Sequence, residues 1–304
     1  MTDFVSLSPE VAQALADHRP VLAFESTIIS HGMPHPRNME TAQEAERLAR
    51  AAGVVPATIA VMDGRIAVGL SEAQLSRLAT EKDVLKVSRR DLAWALAARR
   101  TGATTVSATM LAAGLAGISV FATGGIGGVH RGAQDTFDIS ADLAELASTS
   151  VLVVSAGAKA ILDLPRTLEV LETLGVPVIG FGTTEFPAFY SRSSGLPLSL
   201  RADTPAEAAA VLRAQRALGL PEGILVANPV PAEWEIPLAT MDAWIRQALA
   251  DQGKRGVTGK AVTPFLLSRI VELSGGKSLE TNVKLFHNNV RLGSAIAADL
   301  ARTP

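Results

Sequence analysis

The sequence predicts an α/β fold: an α/β/α sandwich around a mostly parallel sheet, with a helical C-terminal part. Three observations carry this. Short β-branched runs such as Val151-Leu152-Val153-Val154 lack polar alternation, as expected of strands covered on both faces. Helical patterns separate these runs from end to end, and a repeating βαβα order gives a layered fold. Aromatic residues make up only 4% of the chain while Ala, Gly and Val abound, which suits helices packed closely on a sheet.

In chain order, the strand candidates span 21–24, 58–62, 66–68, 119–123, 151–155, 178–181, 196–200 and 223–227. Helical patterns span 38–52, 71–80, 90–101, 107–115, 141–148, 165–174, 205–218, 241–252, 264–273 and 279–301. Ser71 and Thr204 read as N-caps because their hydroxyls can accept from the first free N–H groups. Gly53, Gly102 and Gly175 follow helices and read as C-caps. The last pattern repeats Leu279, Val283, Phe286, Val290, Ile296 and Leu300 at helical spacing, and also carries Asn282, Asn288 and Asn289. Asparagine is a poor helix former, so these amides read either as a solvated face with a cap or as groups aimed at a ligand, the first being the simpler. No linker, repeat or low-complexity segment divides the 304 residues, and 1–304 reads as a single domain, long enough for a substantial core.

Composition narrows the function. The formal net charge is -2, which argues against a broad basic face for nucleic acid. The chain has no cysteine, so disulfides and thiolate metal sites are excluded. The first ten residues lack a basic stretch and an apolar core, unlike a signal peptide. Apolar runs are broken well before the ~20 residues a membrane helix needs. The expectation is a soluble cytoplasmic protein that binds neither nucleic acid nor membrane.

Two segments point to chemistry. Pro20-Val21-Leu22-Ala23-Phe24 arrives at Glu25, and Val153-Val154-Ser155-Ala156-Gly157-Ala158 arrives at Lys159. Ligands bind at the carboxyl ends of strands in open α/β sheets. A carboxyl group and an amine placed there suit a proton donor and a nucleophile. Each also has an ordinary reading, Glu25 in a salt bridge and Lys159 on a helix surface. After the 119–123 strand, Gly124, Gly125, Gly127 and Gly128 form a loop that ends in His130 and Arg131. Such glycines let backbone N–H groups approach an anion, although the pattern is neither a Walker A motif nor the dinucleotide fingerprint. Asp135, Asp138 and Asp142 lie within eight residues. Ser140 and Asp142 read individually as helix-start residues, and the three carboxylates together also suit Mg²⁺ or Mn²⁺. Lys86-Val87-Ser88-Arg89-Arg90-Asp91 sets three cations before a helix, either a solvated helix start or a phosphate site. His31 and His35 are separated by a proline, so they do not form a helical metal pair.

These motifs together resemble the indigoidine synthase A-like, or pseudouridine-5'-phosphate glycosidase, family. The resemblance rests on Glu25-Ser26-Thr27-Ile28-Ile29-Ser30-His31-Gly32-Met33-Pro34, Lys86 to Asp91, Gly102-Ala103-Thr104-Thr105-Val106, the loop from Thr123 to Gly132, Thr136 to Asp142 and Ala156-Gly157-Ala158-Lys159. It runs from about residue 8 to residue 300. It implies a lyase that reversibly cleaves the C–C glycosidic bond of pseudouridine 5'-phosphate to uracil and ribose 5-phosphate. By the resemblance, Lys159 matches the Schiff-base nucleophile and Glu25 the proton donor. Asp138 matches the ligand of a divalent metal, usually Mn²⁺, held largely through water. Lys86, Val106, Ser140, Ala141, Asp142 and Asn282 match positions around the substrate, and the family is typically a homotrimer. His287 is a mild departure from the pattern. A phosphosugar kinase and a non-catalytic sugar-phosphate-binding protein are the competing readings, and the pairing of Glu25 with Lys159 argues against both.

Overall fold

The computed structural model describes residues 3–302; residues 1–2 and 303–304, which the expected 1–304 domain includes, lie outside it. Among the described residues, eleven strands join one sheet. They are β1 (Val5–Leu7), β2 (Val21–Phe24), β3 (Val55–Met62), β4 (Arg65–Val68), β5 (Leu85–Val87), β6 (Gly102–Thr104), β7 (Val120–Ala122), β8 (Leu152–Ser155), β9 (Val178–Phe181), β10 (Leu200–Ala202) and β11 (Ile224–Ala227). The main order is β1-β4-β3-β2-β7-β8-β11-β9-β10, with β5 and β6 branching from β3. Pairing is parallel except for β3 with β4 and β3 with β6. The first exception is a hairpin whose turn, Asp63-Gly64, has φ of 51° and 85°, the Asp-Gly chemistry that a tight hairpin favours.

Every residue of β2, β7, β8 and β11 is buried, which explains their unbroken apolar sequences. Helix Lys277–Arg302 packs across β2, β7 and β8, flanked by helices Arg37–Ala51 and Pro205–Ala217. Gly293 on the long helix faces Leu22 and Ala122 so closely that an added Cβ would lie 3.1 and 3.3 Å from them. Helix Val106–Ala116 packs on the sheet and against helix Ala141–Leu146. The expected sandwich and helical C-terminal part are both present.

Several sequence readings hold in detail. Ser71 and Thr204 cap their helices in capping boxes, and Gly53 and Gly175 follow helix ends with φ of 75° and 73°. Others need correction. Gly102 caps nothing: the helix spans Arg89–Ala97, the left-handed residue after it is Arg99, and Gly102 opens β6. A Cβ there would come within 2.4 Å of the Val87 side chain, so the glycine serves close strand approach. The 196–200 strand is displaced to Leu200–Ala202, past Pro197, which has no N–H for a ladder. Strands β1, β5 and β6 and helix Pro9–Ala16, capped by Ser8, have no counterpart in the sequence reading.

Candidate active site

The register aligns the carboxyl ends of four neighbouring strands. Phe24 of β2 pairs with Ala122 of β7, Ala122 with Val154 of β8, and Ser155 with Ala227 of β11. Glu25, Thr123, Ala156 and Asn228 therefore follow at one edge. Above this edge opens a cavity of about 370 Å³, within the size range of small-molecule sites. Glu25, Lys86, Val106, Asp138, Ser140, Ala141, Asp142, Lys159 and Asn282 all line it. The nine candidate residues, spread over most of the chain, thus meet around one space.

Glu25 is 6% exposed. Its Oε1 accepts from the Thr123 hydroxyl and its Oε2 from the Thr27 hydroxyl. Both oxygens are held, so the carboxyl group has a fixed orientation. Lys159 follows β8 after Gly157, whose φ of 83° turns the chain. The Lys159 N–H donates to the Ile126 carbonyl at 3.0 Å, and the Ile126 N–H donates to the Gly157 carbonyl at 3.1 Å. The glycine loop is therefore pinned to the lysine segment like an added rung of sheet.

That pairing occupies part of the loop. Gly124, Gly125 and Gly127 do line the cavity, but the Gly127 N–H donates to Asp142 Oδ2 at 2.8 Å and that of Ile126 is taken by Gly157. Neither is free to cradle an anion. Close packing accounts for the glycines: an added Cβ would lie 2.6 Å from the Phe189 ring at Gly125, 2.3 Å from Ser140 Oγ at Gly127 and 2.5 Å from Thr167 Oγ1 at Gly128.

The carboxylates divide their work. Asp142 is 5% exposed, and its Oδ1 accepts from the Ser107 N–H at 2.9 Å while Oδ2 holds Gly127. It ties the first turn of helix Val106–Ala116 to the glycine loop. Ser140 caps helix Ala141–Leu146 by accepting from the Asp142 N–H at 3.2 Å. Asp138 stands apart, its side chain half-exposed with Oδ2 4.0 Å from His130 Nδ1. Among the described residues no three His, Asp or Glu side chains gather as a metal site, so Asp135, Asp138 and Asp142 do not form a three-carboxylate cluster. One accessible carboxylate fits a hard cation that keeps most of its water and takes one or two protein ligands.

His130 also lines the cavity. Burial, with Lys159 and Lys86 adding repulsion, holds its imidazole below the ordinary histidine range despite the opposing pull of Asp138. His31 lines the cavity as well, and burial lowers it too. Lys86, on β5, shares its wall with Ser88 and Arg90. Phe189, Pro264 and Leu267 supply apolar lining.

Sequence reasoning did not single out Thr27, Thr123 or Phe189, and it read Asn289 only with Asn282 and Asn288. Asn289 is fully buried and bonds backbone carbonyls at the strand ends, so it belongs neither to a solvated face nor to the cavity wall. His287 is buried with a ring nitrogen 3.1 Å from the Thr41 carbonyl, away from the residues that line the cavity.

A parallel sheet with a charged cavity at its carboxyl edge is the architecture of an α/β enzyme acting on a small molecule. Residues 10–299 match the family described as "Indigoidine synthase A like protein". The chain belongs to that family. Curated relatives named pseudouridine-5'-phosphate glycosidase include one from Paracoccus denitrificans, 60% identical over 303 residues, covering 99% of this chain and 100% of its own. Another, from Caldanaerobacter subterraneus, is 57% identical and covers 99% and 98%. A crystal structure of a prealnumycin C-glycosynthase in complex with ribulose 5-phosphate matches with a TM-score of 0.92 at 39% identity, covering 99% and 98% of the two chains. An indigoidine synthase A-like protein from Thermotoga maritima matches with 0.90 at 36% identity, covering 99% of each.

Proposed function

We propose that this chain is a pseudouridine-5'-phosphate glycosidase, a lyase that splits the C–C bond between ribose and uracil through an imine on Lys159. The observation that carries the reading is the meeting of Glu25 and Lys159 with Lys86 and Asp138 around one cavity. The names of the relatives support it.

The chemistry explains why both an amine and a proton donor are needed. A C-nucleoside has no nitrogen leaving group, so the base cannot depart as an N-glycoside's does. The Lys159 amine attacks C1', the C1'–O4' bond breaks, and O4' takes up a proton as the nitrogen loses one. Glu25 then delivers a proton to C5 of uracil, using the C5=C6 π pair. The C1'–C5 pair restores that double bond while the nitrogen lone pair forms C1'=N. Water adds to the imine and frees ribose 5-phosphate from Lys159. The Thr27 and Thr123 hydroxyls keep Glu25 aimed throughout.

Lys86 and Ser88, beside the starts of helices Arg89–Ala97 and Val106–Ala116, form the wall suited to the 5'-phosphate. That binding energy is remote from the bond being broken and can be spent at the reacting centre. Asp138 would hold a divalent cation, Mn²⁺ by family resemblance, which when bound supplies positive charge near the substrate. The homotrimer is proposed on the family resemblance alone. Incubation with pseudouridine 5'-phosphate and Mn²⁺ tests the reading: free uracil is expected, and its absence with correctly folded protein overturns it.

A further inference from the structure

We propose that Asn289 is a positioning residue: its buried amide fixes the end of β7 so that the Thr123 hydroxyl holds Glu25 in line for proton transfer. The inference rests on the reading of Glu25 as the proton donor.

Asn289 lies midway along helix Lys277–Arg302 with no exposed surface. Phe286, Val290 and Ile296 of the same helix are apolar and buried. An amide there must find partners or leave polar atoms unsatisfied. Its partners are all at the carboxyl edge of the sheet. Nδ2 donates to the Thr123 carbonyl at 2.8 Å and, more weakly, to the Gly124 carbonyl at 3.4 Å. Oδ1 accepts from Asn228 Nδ2 at 3.0 Å, and the Asn228 N–H donates to the Ser155 carbonyl at 2.8 Å. One side chain thus joins the ends of β7 and β11, and through Asn228 that of β8.

Thr123 is consequently held by three groups. Its N–H donates to the Val154 carbonyl at 3.0 Å, its carbonyl accepts from Asn289, and its hydroxyl donates to Glu25. With the carbonyl released, the peptide between Thr123 and Gly124 can rotate and carry the hydroxyl away from Glu25. A misplacement of about 1 Å at a reacting group can cost about a hundredfold in rate. Neither Asn289 nor Thr123 lines the cavity, so the loss should fall on kcat.

The test is a double-mutant cycle on uracil release, with Asn289→Ala, Thr123→Val, Thr123→Ser and the Asn289→Ala/Thr123→Val pair. Asn289→Ala should lower kcat by about 10- to 100-fold and leave KM within about threefold. Thr123→Ser keeps the hydroxyl and should retain most activity, whereas Thr123→Val should not. The pair should be no slower than Thr123→Val alone, because Asn289 acts through Thr123. Losses that multiply, or a kcat unchanged in Asn289→Ala, overturn the proposal. If Asn289→Ala does not fold, Asn289→Leu, close in size and without the donor to the Thr123 carbonyl, takes its place in the same cycle, with the same two outcomes. Borohydride trapping of ribose 5-phosphate separates this inference from the lysine reading. The adduct should form on Lys159 in Asn289→Ala as in the wild type. A wild type that releases uracil without an adduct overturns the lysine reading and leaves the cycle to decide on Asn289. A wild type that releases no uracil overturns both.

Discussion

Replacing Asp142 with alanine should weaken the fold by a predictable amount. Its carboxylate accepts from the Ser107 N–H at 2.9 Å and the Gly127 N–H at 2.8 Å. Ser107 is fully buried, so its N–H would lose its acceptor with no water to replace it, at about 1–3 kcal/mol. Gly127 lines the cavity, where water can enter, so its loss is nearer the net worth of a hydrogen bond, about 0.5–1.5 kcal/mol. Together these give about 2–4 kcal/mol. At about 2.1 cal/mol/K per residue, a chain of 304 residues shifts by about 1.6 °C per kcal/mol, so Tm should fall by roughly 3–6 °C. Asp142→Asn retains one acceptor but turns an NH₂ group toward an N–H, so it should recover no more than about half of the loss. Thermal unfolding followed by circular dichroism, with urea midpoints as a second measure, decides the matter. A Tm within about 2 °C of wild type for Asp142→Ala would show that these two bonds do not tie the helix to the loop.

Lys86→Ala should reduce kcat/KM for pseudouridine 5'-phosphate by about one to two powers of ten, the equivalent of a charge-assisted contact of about 1.5–3 kcal/mol, and barely change use of the free nucleoside; equal losses on both substrates would remove Lys86 from phosphate recognition. Exhaustive chelation should abolish uracil release and Mn²⁺ should restore it, with Asp138→Ala needing more metal; full activity after chelation would refute the metal role. Burial holds His31, His130 and His287 below the ordinary histidine range, so the unfolded chain binds more protons as pH falls below about 6.5. Stability from these groups is present above that pH and lost below it, and the urea midpoint should be lower at pH 5.5 than at pH 7.5; an unchanged or higher midpoint at pH 5.5 would contradict this.

What the sequence revealed depended on how local the determining interaction was. Strand β2 was legible because four consecutive apolar residues are buried on both faces, and Glu25 and Lys159 stood out because each ends such a run. Strands β5 and β6 were not, since each has three residues and includes a lysine or a glycine. β6 pairs with β3, far back along the chain, and β5 pairs with β6. The same limit applied at the site. That Asp142 starts a helix could be read from Ser140 beside it, but its acceptors' partners, Ser107 and Gly127, are 35 and 15 residues away. Asn289 bonds Thr123 across 166 residues, and no local pattern distinguishes that amide from those of Asn282 and Asn288. The glycine loop signalled close approach, and the groups that approach Gly125, Gly127 and Gly128 are Phe189, Ser140 and Thr167, none of them a neighbour in sequence.

The central claim is that Lys159 carries the sugar as an imine. Incubation with ribose 5-phosphate followed by borohydride and peptide mass spectrometry tests it directly. One reduced pentose-phosphate adduct per chain is expected, on Lys159, and none in Lys159→Ala. An adduct on another lysine, or one that persists in Lys159→Ala, would contradict it.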